Sequence, residues 1–174
     1  LVKSPSMNKD IKVVVVTPDA ALGKKATACP TVYLLHGFGG HAKTWIEIKP
    51  NLPQIADEKG IIFVCPDGST SWYWDSPVDP KSRYETYVST ELVGCVDSLY
   101  RTIRSRCGRA ITGYSMGGHG ALWLVKYAFY HAVFHRGKCT VSSPVRVAYL
   151  SYAAGARCDV LLCHIVYIAD ITGI

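Results

Sequence analysis

Short apolar runs, each stopped by proline or glycine, alternate along this chain with stretches of helical periodicity. Ile11–Thr17 (IKVVVVT) is rich in β-branched residues and predicts a strand that Pro18 ends. Thr31–Leu35 (TVYLL) predicts a second strand, running into the glycine-rich HGFGG. Asn51–Lys59 reads as a short helix closed by Gly60, and Ile61–Cys65 (IIFVC) as a third strand halted by PDG. A long loop with the aromatic cluster SWYWDSP follows. Tyr84 to Ile103 carries the strongest helical signal, because Val88, Leu92, Val96, Leu99 and Ile103 recur at three- and four-residue steps and mark one face. Ala110–Thr112 predicts a fourth strand, and residues from Met116 to about Tyr130 a further helix. The strand runs are continuously apolar rather than alternating, which suits parallel strands covered by helices on both faces. The expected fold is α/β, a doubly wound and mostly parallel sheet.

Composition narrows the picture. The chain has 174 residues, 49% of them hydrophobic, enough for one domain with its own core. No run is long and apolar enough to span a membrane. Leu1 rather than Met opens the sequence, which implies a processed or excised piece. A periplasmic or secreted location follows if a targeting segment was removed, a cytoplasmic one otherwise. The formal charge of +6 is unevenly placed: residues 1–100 carry ten Lys+Arg against eleven Asp+Glu, and residues 101–174 nine against two. These cations are scattered between apolar runs without aromatic interleaving, so no nucleic-acid partner is expected. Seven cysteines show no disulfide-framework spacing. Cys158, Cys163 and His164 lie close together, but no second ligand pair completes a zinc site, and no metal is expected.

The chemistry concentrates at Gly113-Tyr114-Ser115-Met116-Gly117, a G-x-S-x-G between a predicted strand and a predicted helix. In such an elbow a strained turn lifts the serine hydroxyl above the sheet, and glycines flank it because a Cβ would collide as strand and helix close. The helix N-terminus favours negative charge developing nearby. Ser115 is therefore the candidate nucleophile. A second piece, His36-Gly37-Phe38-Gly39-Gly40, follows a buried strand. A loop in this place supplies one oxyanion N–H, and the residue after the nucleophile supplies the other, which assigns Phe38 and Met116. His36 reads as structural. His119 lies one turn past the serine and is badly directed to act as its base.

TVYLLHGFGG, IIFVCPDG, the SWYWDS loop, RYETYVSTELVGCVDSLYRTI and RAITGYSMGGHGAL, in that order, resemble the "Putative esterase" family of α/β-hydrolases. That family includes S-formylglutathione hydrolases (esterase D), tributyrin-type esterases and feruloyl or acetyl-xylan esterase domains. The resemblance covers about residues 1–125 of a single expected domain, 1–174. It implies a serine hydrolase of carboxylic esters or thioesters, with a Ser-His-Asp triad and no cofactor. It also implies that Trp72, Tyr73 and Trp74 border the acyl or alcohol pocket. The partner is a small-molecule or carbohydrate-linked ester; a homo-oligomer stays open.

Beyond about Leu124 the resemblance stops. Triad order in this fold is Ser, then Asp or Glu, then His. After Ser115 that order is met by Asp159 and His164, only five residues apart, which makes them weak triad candidates. Residues 126–174 are expected to be atypical, from truncation or a shifted reading frame. The alternative to an ester hydrolase is an inactive fragment or a non-catalytic binding protein with the esterase fold.

Overall fold

The computed structural model describes residues 1–105, 108–134, 146–150 and 164–168, with side chains described as far as residue 125. An N-terminal hairpin pairs β1 (Val2–Ser4) with β2 (Lys9–Ile11). The main sheet then takes β3 (Val13–Val16), β4 (Thr31–Leu35), β5 (Ile62–Pro66), β6 (Arg109–Tyr114), β7 (Arg146–Leu150) and β8 (His164–Ile168), in the spatial order β3-β5-β4-β6-β8-β7. Its centre is parallel: β4 pairs with β5 on one side and β6 on the other. β3 runs antiparallel to β5, β8 antiparallel to β6, and β7 antiparallel to β8. Four of the six strands thus point the same way.

Both faces of the centre are buried, and alternate residues serve different cores. Tyr33, Leu35, Ile62 and Val64 join one cluster, which also takes Tyr87, Val88, Leu92, Val96, Met116 and Leu124. Leu34, Phe63 and Cys65 point the other way and pack with Leu52 and Ala56. Those two residues belong to α2 (Leu52–Lys59), which Gly60 ends in the left-handed region at φ 63°. The reading of continuous apolar runs as strands covered on both sides therefore holds.

Differences from the expected elements have local causes. The long helix is three consecutive pieces: α3 (Tyr84–Thr86), a π-helical stretch Tyr87–Leu92, and α4 (Val93–Leu99). Val88, Leu92 and Val96 are buried as expected, but Leu99 and Ile103 are exposed. The wider π turn changes the helical phase. After Leu99 the chain also turns extended at Tyr100, and the Cys29 amide and carbonyl bond to Arg101 and Ile103. The segment around Thr102 consequently leaves the helix to bridge the strand-like Cys29. The β1–β2 hairpin and α1 (Thr44–Ile48) have no counterpart among the expected elements; each is too short for periodicity to show. Glu91, on the π stretch, holds the hairpin by accepting from the Ser4 hydroxyl at 2.6 Å and the Ser6 amide at 2.8 Å. β6 is longer than Ala110–Thr112 and runs directly up to Ser115.

Candidate active site

The carboxyl ends of three neighbouring parallel strands converge, the usual place for a site in such a sheet. β4 delivers the loop from His36 to Gly40, β5 the loop from Asp67 to Asp75, and β6 the turn at Ser115. Register fixes two of them side by side, because Leu35 is paired with Gly113.

Ser115 sits at φ 51°, in the left-handed region, between β6 and α5 (Met116–Phe134). The side chain is exposed while Met116, Gly117 and Gly118 behind it are buried. Left-handed backbone costs a non-glycine residue about 1–3 kcal/mol, so it persists only where the surroundings impose it. Here they do. A Cβ on Gly117 would lie 2.7 Å from the His36 carbonyl oxygen and 2.6 Å from the Leu35 carbonyl carbon. A Cβ on Gly113 would lie 2.7 Å from the Leu35 oxygen and would also strike the Gly117 backbone. Strand β4 and the first turn of α5 are packed backbone to backbone, and the chain between them must bend sharply. The expectation that both glycines are sterically required is met.

In the β4 loop, Gly37 to Gly40 form a tight turn: the Gly40 amide donates to the Gly37 carbonyl at 3.0 Å, and Gly39 adopts φ 77°. Phe38 lies at the exposed corner. Among the described residues, no acceptor engages the N–H of Phe38 or of Met116. Both amides belong to segments in contact at the elbow.

The β5 loop divides the three aromatic candidates. Trp72 and Trp74 keep 46% and 43% of their surface exposed, whereas Tyr73 is fully buried. Tyr73 packs inward, against Gly68 and Gly120, where a Cβ on Gly120 would come within 2.8 Å of its own Cβ. Its hydroxyl donates to the His36 carbonyl at 3.2 Å. Burial pushes the Tyr73 phenol well above its ordinary range, which keeps it neutral and able to donate. Tyr73 therefore supports the loop and offers no surface to a pocket, while Trp72 and Trp74 face outward.

His119 joins the aromatic loop to α5. Its amide donates to the Ser115 carbonyl at 3.1 Å in the first helical turn. Its ring meets Trp72 at 5.5 Å and Trp74 at 5.3 Å between centroids, so it is turned toward the tryptophans. Trp123 extends this surface, 5.4 Å from Trp74, with its indole N–H donating to Glu85 at 2.8 Å. Trp123 escaped the sequence reading, although Ser115, His119 and Trp123 recur every four residues and so share one helix face.

The triad candidates are Asp159 and His164. Asp159 lies outside the described residues. His164 opens β8, and its backbone is in register with Tyr114, the residue before Ser115. Among the described residues, no side chain is hydrogen-bonded to the Ser115 hydroxyl.

A serine held in a strained turn between a parallel strand and a helix, facing a glycine loop from the next strand, is the arrangement of the α/β-hydrolase fold. Solved structures agree. An S-formylglutathione hydrolase from Agrobacterium tumefaciens superimposes with a TM-score of 0.62 at 26% identity, covering 71% of this chain and 50% of that one. A ferulic acid esterase superimposes with a TM-score of 0.60 at 29% identity, covering 75% and 53%. The family model described as "Putative esterase" matches residues 4–145, and the chain belongs to that family. The S-formylglutathione hydrolase of Mus musculus is 32% identical, with 60% of this chain aligned to 42% of that protein. An esterase of Mycobacterium tuberculosis is 33% identical, with 57% aligned to 22%. The chain thus spans about half or less of the length of each of these relatives.

Proposed function

We propose that this protein is a serine carboxylic-ester hydrolase working through an acyl-enzyme on Ser115. The observation that carries this reading is the exposed left-handed serine wedged between two glycines that have no room for a Cβ. The Ser115 hydroxyl attacks the acyl carbon of the ester while a histidine base takes its proton. The carbonyl oxygen becomes an oxyanion and is held by the amides of Phe38 and Met116, which have no other described acceptor to satisfy. The C–O bond to the alcohol then breaks, the histidine returns the proton to the leaving oxygen, and Ser115 is left acylated. Water, activated by the same base, attacks the acyl carbon and releases the acid. His164 is the candidate base, because strand register brings its backbone beside the elbow, with Asp159 as candidate acid.

The substrate side is bordered by Trp72 and Trp74, extended by Trp123. Small acyl esters, thioesters and sugar-linked esters are the classes to test, since relatives include an S-formylglutathione hydrolase and a ferulic acid esterase.

A fluorophosphonate probe tests the nucleophile. The reading expects one labelled site, lost in Ser115→Ala, and hydrolysis of p-nitrophenyl acetate lost with it. Folded wild-type protein that neither labels nor hydrolyses supports the second reading, a non-catalytic chain with the esterase fold. That reading is favoured by one observation, that Asp159 and His164, the sole acidic residue and histidine in triad order after Ser115, lie only five residues apart in sequence. A panel of acetate, butyrate and feruloyl esters with S-formylglutathione then ranks the substrates.

A further inference from the structure

His36 is 1% exposed, yet all three of its polar groups beyond the amide are engaged. Its Nε2 accepts the Gly68 amide at 2.8 Å, its Nδ1 lies 2.7 Å from the Gly37 carbonyl oxygen, and its own carbonyl accepts the Tyr73 hydroxyl at 3.2 Å. An amide N–H can only donate, so Nε2 must present its lone pair. In the neutral ring the proton is then on Nδ1, which donates to Gly37. Asp67 Oδ1 approaches Nε2 to 3.7 Å, a distance that would suit an imidazolium. That carboxylate oxygen, however, already accepts the Ser69 amide at 2.9 Å, and the Gly68 N–H occupies the Nε2 lone pair. The neutral Nδ1–H tautomer satisfies every partner.

The Gly37 carbonyl matters because it shares a planar trans peptide with the Phe38 N–H, and the two point in opposite directions. Whatever holds the oxygen aims the N–H. His36 Nδ1 and the Gly40 amide, at 3.0 Å, hold it together. We propose that His36 is a positioning residue for the Phe38 oxyanion amide, and the clasp that couples the Asp67–Asp75 aromatic loop to it. The coupling is direct: Gly68 and Tyr73 of that loop both bond to His36. Contact of a substrate with Trp72 or Trp74, on either side of Tyr73, is thereby linked to the donor that stabilises the transition state. The inference rests on the reading of Phe38 as an oxyanion donor.

Two near-isosteric variants of the full chain separate its parts. In His36→Asn the side-chain NH₂ takes the place of Nδ1–H and keeps the bond to Gly37. In His36→Gln the side-chain oxygen takes the place of Nε2 and keeps the bond to Gly68. With p-nitrophenyl acetate, His36→Asn is expected to retain kcat within about fivefold. His36→Gln is expected to lose about 10²-fold in kcat with KM nearly unchanged, the loss typical of one oxyanion donor. Equal losses in both, or a better enzyme from Gln than from Asn, would overturn the positioning role. Melting curves confirm that both variants fold. Nitrogen-15 NMR of the wild-type imidazole gives a readout independent of turnover: a protonated Nδ1 and a bare Nε2 are expected, and the reverse tautomer overturns the proposal. Wild-type protein that shows this tautomer but no hydrolysis sinks the proposed function and leaves the hydrogen-bond clasp standing.

Discussion

Two regions at the candidate site hold non-glycine residues in the left-handed region, and they are held there by different means. At the elbow, Ser115 has φ 51°. In the aromatic loop, Trp72 and Tyr73 have φ 56° and 60° in succession, unusual for bulky side chains. The elbow is locked by backbone. Gly113 and Gly117 let β4, β6 and α5 approach until nothing larger than hydrogen fits between them. The aromatic loop is locked by side chains. The Ser71 hydroxyl accepts the Tyr73 amide at 3.0 Å and donates to the Gly68 carbonyl at 2.6 Å, while the buried Tyr73 ring plugs the space against Gly68 and Gly120. One bend is thus written in the places where atoms are missing, the other in the places where they are present. The two locks meet at His36, whose carbonyl crowds Gly117 and accepts from Tyr73.

This contrast can be broken by substitution. The largest effect is expected from Tyr73→Ala, which removes the plug and should cost about 3–5 kcal/mol by denaturant unfolding. A cost below about 1 kcal/mol would mean that the loop keeps its shape without the ring. Gly117→Ala should cost about 3 kcal/mol, since its Cβ meets carbonyl groups of β4 that cannot move aside like a flexible side chain. A neutral result would show that strand and helix are not in contact there.

Smaller effects sharpen the comparison. Ser115→Gly should raise stability by about 1 kcal/mol while abolishing labelling by a fluorophosphonate, because it relieves the left-handed strain and removes the proposed nucleophile together. A destabilised variant would argue that the serine is not strained. Tyr73→Phe should cost about 1 kcal/mol at neutral pH through the lost bond to His36. The folded-state phenol is raised above its ordinary value of 10.0, so the wild type carries an extra loss of stability, absent from the variant, as the unfolded Tyr73 phenol ionises above about pH 10. Its advantage over Tyr73→Phe should therefore hold constant below that pH and shrink above it; a difference flat through pH 11 would contradict the burial of Tyr73.

Much of the site was legible before any coordinates. Gly113, Ser115 and Gly117 sit in sequence where strand gives way to helix, and their spacing encodes a local bend. The HGFGG turn is local too, closed by Gly40 on Gly37. Trp72, Tyr73 and Trp74, by contrast, look alike in sequence. Only the fold separates the middle one, at 0% exposure, from its neighbours, because facing inward depends on what α5 and His36 place beneath it. The roles of His36 and Trp123 were hidden for the same reason: their partners, Gly68 and Glu85, lie more than thirty residues away.

Periodicity, glycine spacing and apolar runs thus determined strands β3 to β6 and the elbow, since each depends on neighbours a few residues apart. The tertiary structure alone decided the helical phase after Val96. Leu99 and Ile103 carry the right residue types for the core, yet the π turn and the bridge to Cys29 turn them outward. It also decided which peptide the buried imidazole grips. A hydrogen bond between distant segments has no local signature; it exists only once three strand ends have been brought to one place.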